Sequence, residues 1–444
     1  MVLFPPDRTL ELQGDIERFC SENPRYRSLY LLLMYMVSNR SSDWFRFLVS
    51  VGGGNMISRL GMRRARSMDD SIDILIEPIL GNKHQILWSP VAREFTRKGF
   101  HVAAVSRRKA VKKLAEGEMR EAFARAVISG NFTAPRNRIR SPQGVEIPSG
   151  RLGLFVRLGC EYIDRMVAVW LEVLEKTGVK AFLTTAQFSP WTSALIIAGE
   201  QLGMTSFSMQ QGLPDKKLWQ HPTCRCHIVW SDVGREALLL YGVAADDVYI
   251  ARNPAVPTPE EGRSSRERIR GALRLGNEKC VLVLGQVAED YFVRDEHFFS
   301  QLEILADGLG RLAAKDGEVR FFLRPHYRDI DSQVEKFLLG RSLPMQTLRS
   351  HTLYEDIFFS DVVVSTGSTA LEEAYLSGAS IVQLKPSFDE VSPDFSVLQI
   401  PVARDANDLE QHLVEALRIK ASPASRPRRE TVADAVAGRI GAVN

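Results

Sequence analysis

Between Val362 and Leu384 the chain reads Val-Val-Val-Ser-Thr-Gly-Ser-Thr-Ala-Leu-Glu-Glu-Ala-Tyr-Leu-Ser-Gly-Ala-Ser-Ile-Val-Gln-Leu. Small hydroxylated residues and a glycine, Ser365, Gly367, Ser368 and Thr369, stand between an apolar run and a helical pattern. A helix beginning there leaves backbone N–H groups unpaired and turns its positive end to the loop, which suits a phosphate. Glu372 and Glu373 follow within the first helical turns, where a carboxylate can accept hydrogen bonds from a ribose. The same spacing also fits an ordinary βαβ crossover with a glycine at its turn.

Other candidates also follow apolar runs. Arg324-Pro-His326-Tyr-Arg328 comes after Val319–Leu323. Arg324 and Arg328 are cations suited to phosphate, and His326 can donate to an oxyanion or a leaving phosphate. After Cys280–Leu284, Gly285 permits close backbone approach and Gln286 could touch a base or a phosphate. Glu289 and Asp290 fit solvated loop acids equally well. His84 stands in the loop after Ile74–Glu77, where its natural pKa suits a general base acting on a hydroxyl; an incidental loop histidine is the plainer reading. Gln210-Gln-Gly212-Leu-Pro214 and Thr184-Thr-Ala-Gln187 could bring amides and hydroxyls to the same side. His221, Cys224, Cys226 and His227 cluster, yet no second half-site with zinc spacing exists, so they read as a loop entering a strand.

The elements that would position these residues alternate. Apolar runs without strict alternation, as a doubly covered parallel sheet requires, are Ile72–Glu77, His101–Val105, Lys180–Thr184, Thr205–Met209, Cys226–Trp230 and Val248–Ala251. Helical patterns lie between them: Trp88–Lys98, Arg107–Ser129, Leu154–Thr177, Trp191–Leu202 and Val233–Tyr241. The Pro-rich polar stretch Asn253–Ser265 reads as a linker. Beyond it the alternation restarts with Cys280–Gly285, Val319–Arg324, Asp361–Val364, Ser380–Leu384 and Leu398–Val402. The fold class expected is α/β, with two doubly wound Rossmann-like domains facing a cleft. The expected division is a helical N-terminal extension over 1–70, a first domain over 71–255 and a second over 256–420. A C-terminal helix over 421–444 would pack back on the first domain.

Composition narrows the class. The 444 residues carry 57 basic and 54 acidic side chains, a formal charge of +3, so bulk charge gives no argument for nucleic acid. Basic residues crowd between Arg93 and Arg140, which reads as a solvated helix face or a surface toward an anionic acceptor or lipid headgroups. The run Leu29–Val37, with Trp44, Phe45 and Phe47 behind it, could lie at an interface or pack on the protein. Five scattered cysteines suggest a reducing compartment. The sequence shows neither a signal-peptide pattern nor a run of spanning length, so a cytoplasmic protein is expected. No strand-linked Gly-x-Gly-x-x-Gly, Walker A loop or Gly-x-Ser-x-Gly elbow is present, which disfavours nicotinamide enzymes, P-loop NTPases and serine hydrolases.

The segment from Ser365 through Glu373 to Gly378 resembles the donor-nucleotide signature of glycosyltransferases with the two-Rossmann (GT-B) architecture. Arg324-Pro-His326 resembles the phosphate motif of their capsule, teichoic-acid and sialic-acid branches, with Pro and His in reversed order. Val229-Trp-Ser-Asp-Val-Gly-Arg-Glu with Ile250-Ala-Arg-Asn-Pro254 is similar to the end of the acceptor domain in those enzymes and in UDP-sugar 2-epimerases. The resemblance implies that Glu373 holds the nucleotide ribose, that Gly367, Ser368 and Thr369 hold the phosphates, and that Arg324 and His326 steady the leaving group. Retaining members carry a Glu at the position of Ser365, so inversion is implied. The expected activity is metal-independent sugar transfer from a UDP- or CMP-linked donor to a glycan or lipid-linked acceptor in surface polysaccharide synthesis, with His84 as base. The expected setting is the cytoplasm or the inner face of the membrane. A UDP-sugar 2-epimerase and a non-catalytic glycan-assembly partner are the alternatives.

Overall fold

A computed structural model describes residues 9–30, 72–77, 82–104, 139–140, 146–147, part of 156–180, 181–185, 187, 190–214, 222–257, 259–285, 295–326, 333–389, 393–418 and 429–441. The first helix, α1 (Thr9–Glu22), precedes β1 (Ile74–Glu77), α2 (Asn82–Arg97) and β2 (Val102–Ala104). A short antiparallel pair, β3 (Ile139–Arg140) and β4 (Glu146–Ile147), comes next. Then follow β5 (Ala181–Thr184), α3 (Pro190–Gln201), β6 (Thr205–Met209), β7 (Cys226–Val229), α4 (Asp232–Leu240) and β8 (Val248–Ile250). Six of these strands form one parallel sheet in the order β2-β1-β5-β6-β7-β8. All residues of β1, β5, β6 and β7 are buried, which explains their lack of polar alternation.

The second half repeats the plan. It runs through α5 (Pro259–Ala272), β9 (Lys279–Leu284), α6 (Asp295–Lys315), β10 (Val319–Arg324), α7 (Gln333–Gly340) and β11 (Met345–Thr347). It continues with α8 (Leu353–Phe359), β12 (Val362–Ser365), α9 (Thr369–Leu376), β13 (Ser380–Leu384), β14 (Val402–Ala403) and α10 (Ala406–Arg418). Its parallel sheet has the order β11-β10-β9-β12-β13-β14. The chain is therefore built on two doubly wound, Rossmann-like sheets, the GT-B plan.

Two further segments complete the first domain. Ile16, Phe19, Cys20, Tyr26 and Leu29 lie in one core with Phe182, Leu195 and Ala198. The last helix, α11 (Val432–Gly441), places Val432, Ala433, Val436 and Ile440 in the core that holds Val91, Phe95 and Ile228. Both ends of the described chain thus belong to the first sheet's layers. Arg429 ties this return in place by donating to the Trp230 carbonyl, beside Asp232.

Several boundaries differ from the sequence reading. The polar stretch after Asn253 is a linker only as far as Pro257, and α5 begins at Pro259. Proline at a first helical position costs no hydrogen bond and is pre-set in φ, which starts a helix despite the polar composition. Helix α2 begins at Asn82, six residues before Trp88, and so contains His84, read from sequence as a loop residue. The strand expected over Leu398–Val402 shortens to β14, because Phe395–Leu398 forms a 3-10 turn closed by Gln399 at φ 58°. Edge strand β11 carries no apolar run to reveal it. The helical reading over Arg107–Ser129, most of the basic segment, and residues 31–37 with the aromatic residues behind them lie outside the described residues. Among the described residues no helix is long and apolar enough to cross a membrane. All five cysteines are buried, and none belongs to a disulfide.

Candidate functional site

In a doubly wound sheet, ligands bind at the carboxyl ends of strands where successive crossovers depart in opposite directions. In the second sheet that point lies between β9 and β12, from which β10-β11 and β13-β14 run to opposite sides. Gly285 follows β9 there, and the turn from Ser365 follows β12. The Gly285 N–H donates to the Arg324 carbonyl at 2.9 Å. A Cβ on Gly285 would stand 3.3 Å from that carbonyl and 3.4 Å from the His326 nitrogen. The loops after β9 and β10 are therefore in backbone contact, which a side chain would wedge apart.

Across the switch point Ser365 is buried, and its Oγ donates to the Leu284 carbonyl at 3.2 Å. Gly367 has φ 144°, a conformation that side-chained residues rarely adopt. Ser368 caps α9, its Oγ accepting from the Leu371 N–H at 3.3 Å. The Thr369 hydroxyl accepts from the Leu213 N–H of the first domain at 3.1 Å. A phosphate at this turn would meet backbone N–H groups, while these three hydroxyls have partners in the protein.

The acidic pair divides by face. Glu372 is fully buried, and two residues of the first domain reach it. Gln210, after β6, donates from Nε2 to Glu372 Oε2 at 2.5 Å, and Ser231, after β7, donates to Oε1. Gln210 is held in that orientation because its Oε1 accepts the Trp230 N–H at 3.0 Å. Burial pushes the Glu372 carboxyl up to about 7, against the pull of the hydroxyl and amide donors. Glu373 is half-buried, and burial together with its charge raises the Tyr354 hydroxyl above its ordinary value. Of the two acids, Glu373 is the one a ligand can reach.

Arg324 ends β10 with its guanidinium turned toward α8. It donates to the His351 carbonyl at 3.0 Å and pairs with Asp356, which is fully buried. His351 Nδ1 lies 3.1 Å from the other Asp356 oxygen. Burial raises the Asp356 carboxyl, and the Arg324 cation works against that rise. Arg324 therefore neutralises a buried acid as well as standing at the strand end. His326 is half-buried in the loop beyond, while Gln286 and Arg328 lie outside the described residues.

The first sheet has its own switch point between β1 and β5. Glu77, 1% exposed, ends β1 there, and its Oε2 accepts from Thr184 at 3.1 Å and Thr192 at 2.7 Å. The acid closing the apolar run Ile74-Leu-Ile-Glu77 is the sequence signal that could have singled it out. His84 belongs to the first turn of α2 beyond β1. Gln187 accepts from the Thr223 and Cys224 N–H groups, and His227 pairs with Ser208 at 2.7 Å, so the Cys/His segment is held by polar partners. Among the described residues no group of three metal-ligating side chains comes together. Asp356 and Ser231 escaped the reading of single motifs because Arg324 and Glu372, their partners, lie 32 and 141 residues away.

No protein-family profile and no curated protein sequence matches the chain. Among solved structures, the UDP-GlcNAc 2-epimerase of Neisseria meningitidis is similar over 84% of this chain and 100% of its own, at 14% identity and TM-score 0.48. The corresponding enzyme of Methanocaldococcus jannaschii aligns over 84% of this chain and 99% of its own, at 12% identity and TM-score 0.48. A glycosyltransferase from Rickettsia africae aligns over 84% and 94%, at 12% identity and TM-score 0.47. Likeness at this level assigns no activity to the chain.

Proposed function

We propose that the chain is a nucleotide-sugar enzyme that seats its nucleotide at the switch point of the second sheet. The observation that carries this reading is the convergence there of Gly285, the Gly367 turn, the N-terminus of α9 and the reachable carboxylate of Glu373. Backbone N–H groups and the helix dipole would take the phosphates, and Glu373 the ribose. The sugar would then project toward the carboxyl end of the first sheet, which meets α9 through Gln210, Leu213 and Ser231.

The reaction we assign is inverting sugar transfer. An acceptor hydroxyl attacks the anomeric carbon as the bond to the nucleotide phosphate breaks, and a base in the first domain takes the hydroxyl proton. His84 in the first turn of α2 is the candidate base. His326 would steady the departing phosphate. Ser365 at the end of β12 offers no carboxylate for a double displacement. No step in this scheme calls on a metal, and a glycan or a lipid-linked acceptor would enter from the first-domain side.

A second reading, 2-epimerisation of the nucleotide sugar, gains from Glu77. That chemistry needs acid and base groups around the ring, and Glu77 supplies a first-domain carboxylate. Thermal-shift titration with UDP, CMP and their sugar conjugates tests the shared part. A rise in Tm with one nucleotide that is lost in Glu373→Ala supports the site; no rise with any of them overturns it. Incubating the responsive nucleotide sugar without acceptor then separates the two reactions, since only an epimerase changes the sugar configuration.

A further inference from the structure

Strand β13 carries one amide, Gln383, among apolar residues in the run Ile381-Val-Gln-Leu384, and that amide is fully buried. Its Nε2 donates to the Thr366 carbonyl at 3.1 Å and to the Pro393 carbonyl at 2.8 Å. Its Oε1 accepts the Phe395 N–H at 2.9 Å. Both amide protons are thereby used, and the side chain joins the turn after β12 to the segment leading into β14. That segment is itself fixed: Phe395 lies in the core of the second domain, and the Asp394 carboxylate accepts the Ser396 N–H at 2.8 Å.

The carbonyl and the N–H of one trans peptide point in opposite directions. Strand β12 lies between β9 and β13, and Gln383 draws the Thr366 carbonyl to the β13 side. The N–H of the same peptide, that of Gly367, is therefore directed to the β9 side, where Leu284, Gly285, Ser365 and Thr366 line one crevice. A peptide that precedes glycine in a turn flips readily, because glycine accepts φ of either sign. Flipped, it would present a carbonyl oxygen to an anion in place of an N–H. Gln383 selects the orientation that suits an anion, and holding it beforehand spares the cost of ordering the turn on binding.

We propose that Gln383 is a positioning residue that aims the Gly367 N–H at the nucleotide phosphate by holding the Thr366 carbonyl away from it. This rests on the nucleotide reading of the site given above. The test measures, on the full chain, the affinity for UDP against uridine and for CMP against cytidine. In Gln383→Met the responsive nucleotide should bind about tenfold more weakly, the scale of one hydrogen bond to a charged group, with the affinity for its nucleoside unchanged. A merely structural role would weaken nucleotide and nucleoside alike, and that result, or an unchanged nucleotide affinity, overturns the proposal. Gln383→Glu, which keeps the length and loses both donors, gives the same comparison should the methionine variant fold poorly. The wild-type protein supplies a measurement that needs no variant. Carbonyl-13C threonine with amide-15N glycine marks the Thr177–Gly178 and Thr366–Gly367 peptides, the first of which lies at the amino end of β5, away from the crevice. Titration with the responsive nucleotide should move one of the two amide signals, that of Gly367. Binding that leaves both signals in place overturns the proposal alone, whereas no binding of either nucleotide overturns the site reading and this inference with it.

Discussion

Two adjacent glutamates have opposite fates because neighbours on a helix point about 100° apart. Glu372 faces the first domain and is sealed there by Gln210 and Ser231, whereas Glu373 is half-buried on the side of α8, where its charge acts on Tyr354. The protonation of Glu372 follows from its burial. Its folded value, about 7, lies above the ordinary 4.5, so the folded protein binds the proton more tightly than the unfolded chain between those values. Its contribution to stability is therefore fully present below pH 4.5 and is lost as pH rises through 7. The full shift corresponds to about 3 kcal/mol, taken as an order of magnitude. Glu372→Gln keeps the side chain's shape and removes the titration. Denaturant unfolding should show the variant more stable than wild type at about pH 8 and level with it or below at about pH 5, and equal differences at both pH values would count against this account. Which acid would be sealed was not legible in the sequence: the pattern Ala-Leu-Glu-Glu marks both as early helical residues, and the deciding partners lie 162 and 141 residues away.

At the scale of elements, the apolar strands were legible, because burial on both faces leaves an uninterrupted apolar run, and so were α3, α4, α9 and the later turns of α2. The elements missed are those whose residues answer to something other than burial. Strand β11 is an edge strand of Met-Gln-Thr, and the first turn of α2 carries Lys83, His84 and Gln85. The role of α8 was equally hidden, since Asp356, the partner of Arg324, lies 32 residues further along the chain. That pairing makes its own prediction. Arg324→Met leaves a buried carboxylate without its cation and should cost about 3–5 kcal/mol of stability, and adding Asp356→Leu should recover a large part. Unfolding curves of the single and double variants read this directly; an additive double variant would mean that the pair is not coupled. Gly285→Ala is predicted to lower stability by about 1–3 kcal/mol, because its Cβ would press on the backbone of the β10 loop. It should also weaken nucleotide binding in the thermal-shift titration.

The whole molecule is two sheets whose carboxyl ends meet through a small polar and apolar seam. Val233 of α4 enters the core of the second domain, and Leu376 of α9 packs on that of the first. Two domains and a linker were legible from the restart of the alternation after Asn253. The sealing of the seam by Gln210, Leu213 and Ser231 was not, because each needs the tertiary fold to find its partner. The first domain also depends on α11. Each fully buried Val or Ile contributes about 1.5–3 kcal/mol, and α11 supplies Val432, Val436 and Ile440 to the core around Phe95. Deleting residues 429–441 should open the first domain to limited proteolysis while the second domain, which has its own core, remains resistant. Resistance of both domains would show that α11 is dispensable.

That return of the chain has a consequence for biosynthesis. A ribosome delivers β1 to β8 first, yet the cover for Val91 and Phe95 is among the last described residues to emerge. Throughout translation of the second domain this apolar face waits uncovered, a period in which exposed surface invites aggregation or chaperone capture. The second domain needs nothing later than α10 for its own core, so it can close before the first is finished. The order of completion is therefore the reverse of the order of synthesis.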